Sequence, residues 1–200
     1  MIRNIIFDLG NVLLDFDPDS YLEDLGYSGE IKDKLKSEIF ATEEWLQLDQ
    51  GTITQKEAVE KWQERNPEIK DEIGDVMSAW EKILTLKSDT AEILESLAAK
   101  NYKMYILSNF HQKAFDYVSS KYDFFKFFDG RVISADIGLI KPNAEIYDHL
   151  LDKFDLKAEE TVFIDDSKEN IKAAFKKGIR VIHFKDADSL EKELKLYLRE

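Results

Sequence analysis

Three short apolar runs, far apart in the chain, each stop abruptly on polar residues. Ile5-Ile6-Phe7 stops on Asp8, Lys103 to Leu107 on Ser108-Asn109, and Thr161 to Ile164 on Asp165-Asp166. Runs this short and continuous belong to strands buried on both faces, as in a parallel sheet. Parallel strands put all their carboxyl ends on one side, the edge where ligands bind in open α/β folds. The sequence thus places Asp8, Ser108, Asn109, Asp165 and Asp166 along one edge. Lys141 arrives beside them in the loop Gly138-Leu139-Ile140-Lys141-Pro142 before a helix.

From Ser88 the rhythm alternates between helix and strand. Ser88 is expected to cap a helix carrying Ile93, Leu94, Leu97 and Ala98, with Asn101 as its left-handed terminator. A helix over 112–121, a strand from Arg131 to Ser134 and a helix with Ile146, Leu150, Leu151 and Phe154 follow. Ser167 caps a helix that Gly178 ends, Arg180 to Phe184 forms the last strand, and Asp188 with Glu191 boxes the closing helix. This is the pattern of right-handed βαβ units.

Residues 17–86 read differently. Asp17-Pro18 opens a helix that Gly26 stops, Thr54 and Glu57 form a capping box, and apolar residues such as Ile69, Ile73, Val76, Met77, Trp80, Ile83 and Leu84 recur at helical spacing. No strand is expected there. The expected fold is therefore α/β: a Rossmann-like parallel sheet with helices on both faces (1–16 and 87–200), interrupted by an inserted all-α helical-bundle cap at 17–86.

The net charge of −13 disfavours binding to nucleic acid, which needs clustered Lys and Arg. There is no cysteine for a disulfide or a thiolate site, and no apolar stretch near the roughly 20 residues of a membrane span. Met1-Ile2-Arg3-Asn4 runs into the first strand without signal-peptide architecture, so a cytoplasmic location is expected. With three His, oxygen ligands and hence Mg²⁺ are favoured for any metal. The adjacent acids Asp165-Asp166 need a cation to offset their repulsion, and Asp8 completes a carboxylate set for one.

These segments resemble the four motifs of the haloacid dehalogenase superfamily, over essentially the whole chain: Phe7-Asp8-Leu9-Gly10-Asn11-Val12, Ile106-Leu107-Ser108-Asn109, Lys141-Pro142 and Phe163-Ile164-Asp165-Asp166. Asp-Leu-Gly-Asn-Val is most similar to bacterial sugar-phosphate phosphatases of the glucose 1-phosphate type. The resemblance implies a Mg²⁺-dependent phosphatase acting on a small phosphorylated metabolite through an aspartyl-phosphate. Asp8 is then the nucleophile, Ser108 and Asn109 hold the phosphoryl group, and Lys141 balances charge. Asp8, the Gly10 carbonyl, Asp166 and Asp165 beside it hold the metal. Family members most often carry an acid where this chain has Gly10; Asp15 and Asp17 are the candidates to replace it, although hinge and cap roles are the first expectation for both. Trp45 is expected in the bundle core and His111 at a surface helix start.

Two rival readings remain at this stage. A metal-independent 2-haloacid dehalogenase also uses an aspartate, a Ser-Asn pair and a lysine followed by a tyrosine, here Tyr147. A catalytically silent binding protein on the same scaffold is the other.

Overall fold

The computed structural model describes residues 1–100 and 102–198. Asn101 lies outside them. The first strand, β1 (Asn4–Phe7), is wholly buried and occupies the centre of the sheet. After it come the two-residue β2 (Leu14–Asp15) and five helices: α1 (Pro18–Asp24), α2 (Gly29–Leu35), α3 (Glu43–Gln50), α4 (Gln55–Arg65) and α5 (Lys70–Ser78). The chain returns through β3 (Thr85–Leu86), α6 (Ser88–Ala99), β4 (Lys103–Ser108), α7 (Gln112–Lys121), β5 (Gly130–Ile133) and the single turn α8 (Ser134–Ile137). It ends with α9 (Ala144–Lys153), β6 (Thr161–Asp165), α10 (Lys168–Lys176), β7 (Arg180–His183) and α11 (Ala187–Leu198).

The main sheet is parallel throughout, in the order β5-β4-β1-β6-β7. Side chains alternate across it. Ile5, Phe7, Ile106 and Ile164 face one core with Leu94, Phe115 and Leu190, while Ile6, Tyr105, Leu107 and Phe163 face another with Ile146, Tyr147 and Leu150. Both faces are covered by helices, as continuous apolar strands require. Phe7 pairs with Ile106 on one side and Ile164 on the other, so the register alone brings Asp8 level with Leu107 and Asp165. Among the described residues, no helix is long and apolar enough to cross a membrane.

Several local expectations hold. Thr54 and Glu57 form the capping box of α4, Asp17 caps α1 through the Ser20 N–H, and Gly26 and Gly178 take positive φ at helix ends. Others are corrected. A strand does occur late in the insert, since Thr85–Leu86 pairs antiparallel with Leu14–Asp15; two residues are too few for the period-2 pattern to register. Ser88 is the first residue of α6 rather than a side-chain cap. The α11 cap falls two residues earlier than read, because Asp186, not Asp188, accepts from the Ser189 N–H at 2.7 Å. Both acids precede the same apolar stripe, and spacing alone does not choose between them.

The insert has its own aromatic core. Trp45 stacks on Trp62 at 6.5 Å and meets Phe40 at 4.8 Å, while the Trp62 indole N–H donates to Thr42. Helix α3 packs on α8 of the core, where Ser134 donates to the Asp49 carbonyl and Gln50 donates to the Gly138 carbonyl at 2.8 Å. Gly51 ends α3 with φ +73°, and an added Cβ would come within 2.5 Å of the Ala135 carbonyl oxygen.

Candidate active site

Asp8 follows directly on β1 and is almost fully buried. Three donors converge on one of its oxygens, Oδ1: the Leu9 N–H at 2.7 Å, the Ser108 hydroxyl at 2.6 Å and Lys141 Nζ at 2.9 Å. Among the described residues, no donor reaches Oδ2. One oxygen is thus fixed while the other stays available for chemistry. Burial pushes the Asp8 carboxyl up from 3.8 to about 7, against the pull of Lys141 and with the help of nearby Asp165.

Lys141 is sealed from solvent between two carboxylates, with Nζ 2.7 Å from Asp165 Oδ2. Burial alone lowers an ammonium, but Asp8 and Asp165 outweigh it and hold Lys141 above its ordinary value. The Asn109 side chain grips the backbone of Lys141 from both sides, its amide donating to the Lys141 carbonyl at 2.9 Å and its Oδ1 accepting the Lys141 N–H at 2.8 Å. Asn109 therefore places Lys141 as well as lining the cavity.

The two adjacent acids have different surroundings. Asp165 is fully buried, and both its oxygens are engaged, Oδ1 by the Ser167 N–H and Asn170, Oδ2 by Lys141 and Asn170. Asp166 is half-buried; among the described side chains its Oδ2 accepts from Asn11 at 3.1 Å, and its carbonyl meets His183 Nε2 at 2.9 Å. Burial raises Asp166 above its ordinary value, partly offset by the Asn11 amide. One oxygen from each of Asp8, Asp165 and Asp166 lies within 4.8 Å of the others. Three carboxylates and one ammonium leave excess negative charge, and an all-oxygen donor set suits a hard divalent cation. Asp8 and Asp166 have oxygens to spare for it, whereas Asp165 serves as the anchor of Lys141.

A cavity of about 170 Å³ opens beside Asp8, Gly10 and Asp166. Its other walls are Asn11, Phe16, Trp45, Asp49, Trp80, Leu84, Asn109, Phe110 and His111. Trp45 is thus both core and wall, with Phe40 supporting it from behind. His111 corrects the surface reading. It is 5% exposed, with Trp45 and Trp80 at 4.5 and 4.7 Å, because the insert covers the start of α7. Asp15 and Asp17 lie elsewhere: Asp15 pairs with Lys87 at 2.8 Å on the β2–β3 ribbon, and Asp17 caps α1. Tyr147 is wholly buried and donates to the Asn170 carbonyl at 3.1 Å.

Asp49, Trp80, Asn11 and Asn170 were not singled out by sequence. Only Asn11 carries a local signal: it sits at φ +56°, in the left-handed region that Asn tolerates, just after the strand's acid. Gly10, by contrast, has no positive φ and nothing within 4 Å of a built Cβ.

Known proteins share this architecture. The chain is 27% identical to a sesquiterpene phosphatase of Aspergillus oryzae, over 91% of its own length and 89% of that protein's. It is 25% identical to a phosphorylated carbohydrates phosphatase of Thermotoga maritima, over 90% and 83%. It spans only 36% of a drimenol cyclase of Aspergillus calidoustus, to which it is 27% identical over 97% of its own length. A haloacid dehalogenase family enzyme of Bacteroides thetaiotaomicron, solved with magnesium and inorganic phosphate, superimposes with a TM-score of 0.74 at 24% identity, covering 92% of this chain and 95% of that one. Residues 2–176 match the haloacid dehalogenase-like hydrolase family, so the chain belongs to the haloacid dehalogenase-like hydrolases.

Proposed function

We propose that the chain is a Mg²⁺-dependent phosphomonoester hydrolase that works through an aspartyl-phosphate on a small phosphorylated metabolite, a sugar phosphate. The observation that carries this is the arrangement at Asp8, one oxygen tied by three donors and the other turned free beside a second, under-partnered acid, Asp166. Residues 17–86 are read as the cap over a core of 1–16 and 87–200. Asp8, Asp166 and the Gly10 carbonyl hold the cation, with Asp165 beside them. Mg²⁺ bound there supplies charge neutralisation for the phosphoryl oxygens.

The protein's own groups then divide the work. Asp8 attacks phosphorus through one carboxylate oxygen and splits the hydrolysis into two steps. The Ser108 hydroxyl turns from Asp8 to a phosphoryl oxygen, and Lys141 meets the charge that spreads over the phosphoryl group. Asn109 keeps Lys141 in register. A metal-independent dehalogenase gives Asp166 no cation, and the protein offers it only an amide.

The leaving group is small. The cavity is below the roughly 300 Å³ of a typical ligand pocket. A compact sugar suits it, with Trp45 and Trp80 as flat walls. The test is turnover of a panel of phosphorylated metabolites with Mg²⁺ and with EDTA. Sugar phosphates should turn over only with Mg²⁺, and Asp8→Asn should be inert; full activity in EDTA, or activity of Asp8→Asn within about tenfold of wild type, overturns the reading.

A further inference from the structure

The groups assigned so far leave no proton donor for a departing alkoxide. Asp8 is the attacking carboxylate, Lys141 is tied between two carboxylates, and the oxygens of Asp165 are taken. Asp166 faces the cation and Gly10 has no side chain. Of the titratable residues that line the cavity, two are unaccounted for: Asp49 from α3 and His111 from the loop after β4 that also delivers Asn109.

Their geometry is specific. His111 Nε2 lies 3.1 Å from Asp49 Oδ1, at an angle outside that of a hydrogen bond. The ring is also held rigidly, between Trp45 and Trp80, and its backbone carbonyl accepts from the Phe115 N–H at 2.9 Å.

Resting on the phosphatase reading, we propose that His111 is the general acid and base of this site and that Asp49 is its positioning residue. In the first step an Asp8 carboxylate oxygen bonds to phosphorus as the bond from phosphorus to the leaving oxygen breaks. That oxygen keeps the electron pair and takes a proton from the imidazolium. In the second, the neutral imidazole takes a proton from water as the water oxygen bonds to phosphorus. The acyl-phosphate bond from phosphorus to Asp8 breaks, returning the carboxylate and releasing phosphate. Since His111 belongs to the core and Asp49 to the insert, the acid is assembled only when the insert is seated. The other charged groups nearby are Asp8 and Asp166 in the same cavity, and Glu81 beside Trp80, paired with Lys113 of α7 at 3.5 Å.

The experiment measures kcat/KM with Mg²⁺ for aryl and alkyl phosphates of graded leaving-group pKa, across pH, in wild type, His111→Asn and Asp49→Asn. Wild type should show a shallow dependence on leaving-group pKa. His111→Asn should lose about a hundredfold or more on alkyl phosphates and less than about threefold on 4-nitrophenyl phosphate, losing the acid-dependent limb of the alkyl pH profile. Asp49→Asn should show the same selectivity, weaker. Binding of inorganic phosphate with Mg²⁺ should survive in all three. An equal loss on every ester, or a steep dependence already in wild type, overturns the assignment whether or not the variants fold well. No turnover of any ester by wild type overturns the phosphatase reading itself, which separates the two failures.

Discussion

Lys141 and Asp165 form an ion pair of 2.7 Å from which solvent is excluded on both sides. The pair is useful because of its third member: the same ammonium reaches Asp8 at 2.9 Å, so Asp165 holds in place the charge that Asp8 needs. Removing the lysine strands two buried carboxylates. Lys141→Ala should therefore cost about 3–5 kcal/mol of stability as well as turnover. Urea unfolding followed by far-UV circular dichroism measures it, and a loss under about 1 kcal/mol would contradict the picture.

Asp8 also sets a pH dependence in the metal-free protein. Burial raises its carboxyl from 3.8 to about 7, so between those values the folded chain keeps a proton that the unfolded chain has released. Its contribution to stability is complete below the lower value and is lost as pH rises through the upper one. Without metal, wild type should lose stability relative to Asp8→Asn between about pH 4 and 7, and Mg²⁺ should oppose that loss with release of protons. Thermal midpoints across pH, with and without Mg²⁺, report this; parallel curves would refute it.

Gly10→Asp should fold normally, because its Cβ meets nothing within 4 Å and its backbone is not left-handed. A stability change within about 0.5 kcal/mol is expected. The new acid should raise alkyl phosphate turnover more than aryl turnover, modestly in wild type and strongly when His111 is Asn. Paired kcat/KM values in both backgrounds decide it, and no gain on alkyl esters in the His111→Asn background counts against a missing donor.

At Gly51 the outcome is the opposite. A methyl group there would press into the Ala135 carbonyl at 2.5 Å, and φ is +73°. Gly51→Ala should cost about 1–3 kcal/mol and lift α3 from α8, carrying Asp49 and Trp45 away from the cavity. kcat/KM should fall at least tenfold. Unchanged melting and unchanged kinetics together would mean that α3 does not need this seat.

What the chain reveals in advance follows the sheet. Asp8, Ser108, Asp165 and Asp166 end strands whose apolar runs are legible, and parallel topology does the rest. The helix-spaced stretch 17–86 is equally plain. Lys141 is legible only as a loop lysine before a helix, and its burial between two acids depends on the Asn109 clamp. His111 is legible only through its place shortly after Ser108-Asn109, and Asp49 is beyond reach, since neither sits on a patterned strand end. They become neighbours through the packing of α3 on the core, a contact no local periodicity encodes. Asp15 and Asp17, close to the motif in sequence, are instead held by Lys87 on the ribbon and by Ser20 at the start of α1.

The two-residue ladder that pairs Leu14 with Leu86 and Asp15 with Thr85 has one more consequence. Outgoing and returning chain meet there as paired neighbours, so the stretch from 16 to 84 leaves and rejoins the core at one point, and its second seat is α3 on α8. A swing about that point changes few contacts near the ribbon and many at α3, where leverage is greatest. It is also a natural splice site: another helical bundle joined at the same two rungs would leave the strand order, the lysine clamp and the carboxylates undisturbed, while exchanging the walls that meet the leaving group.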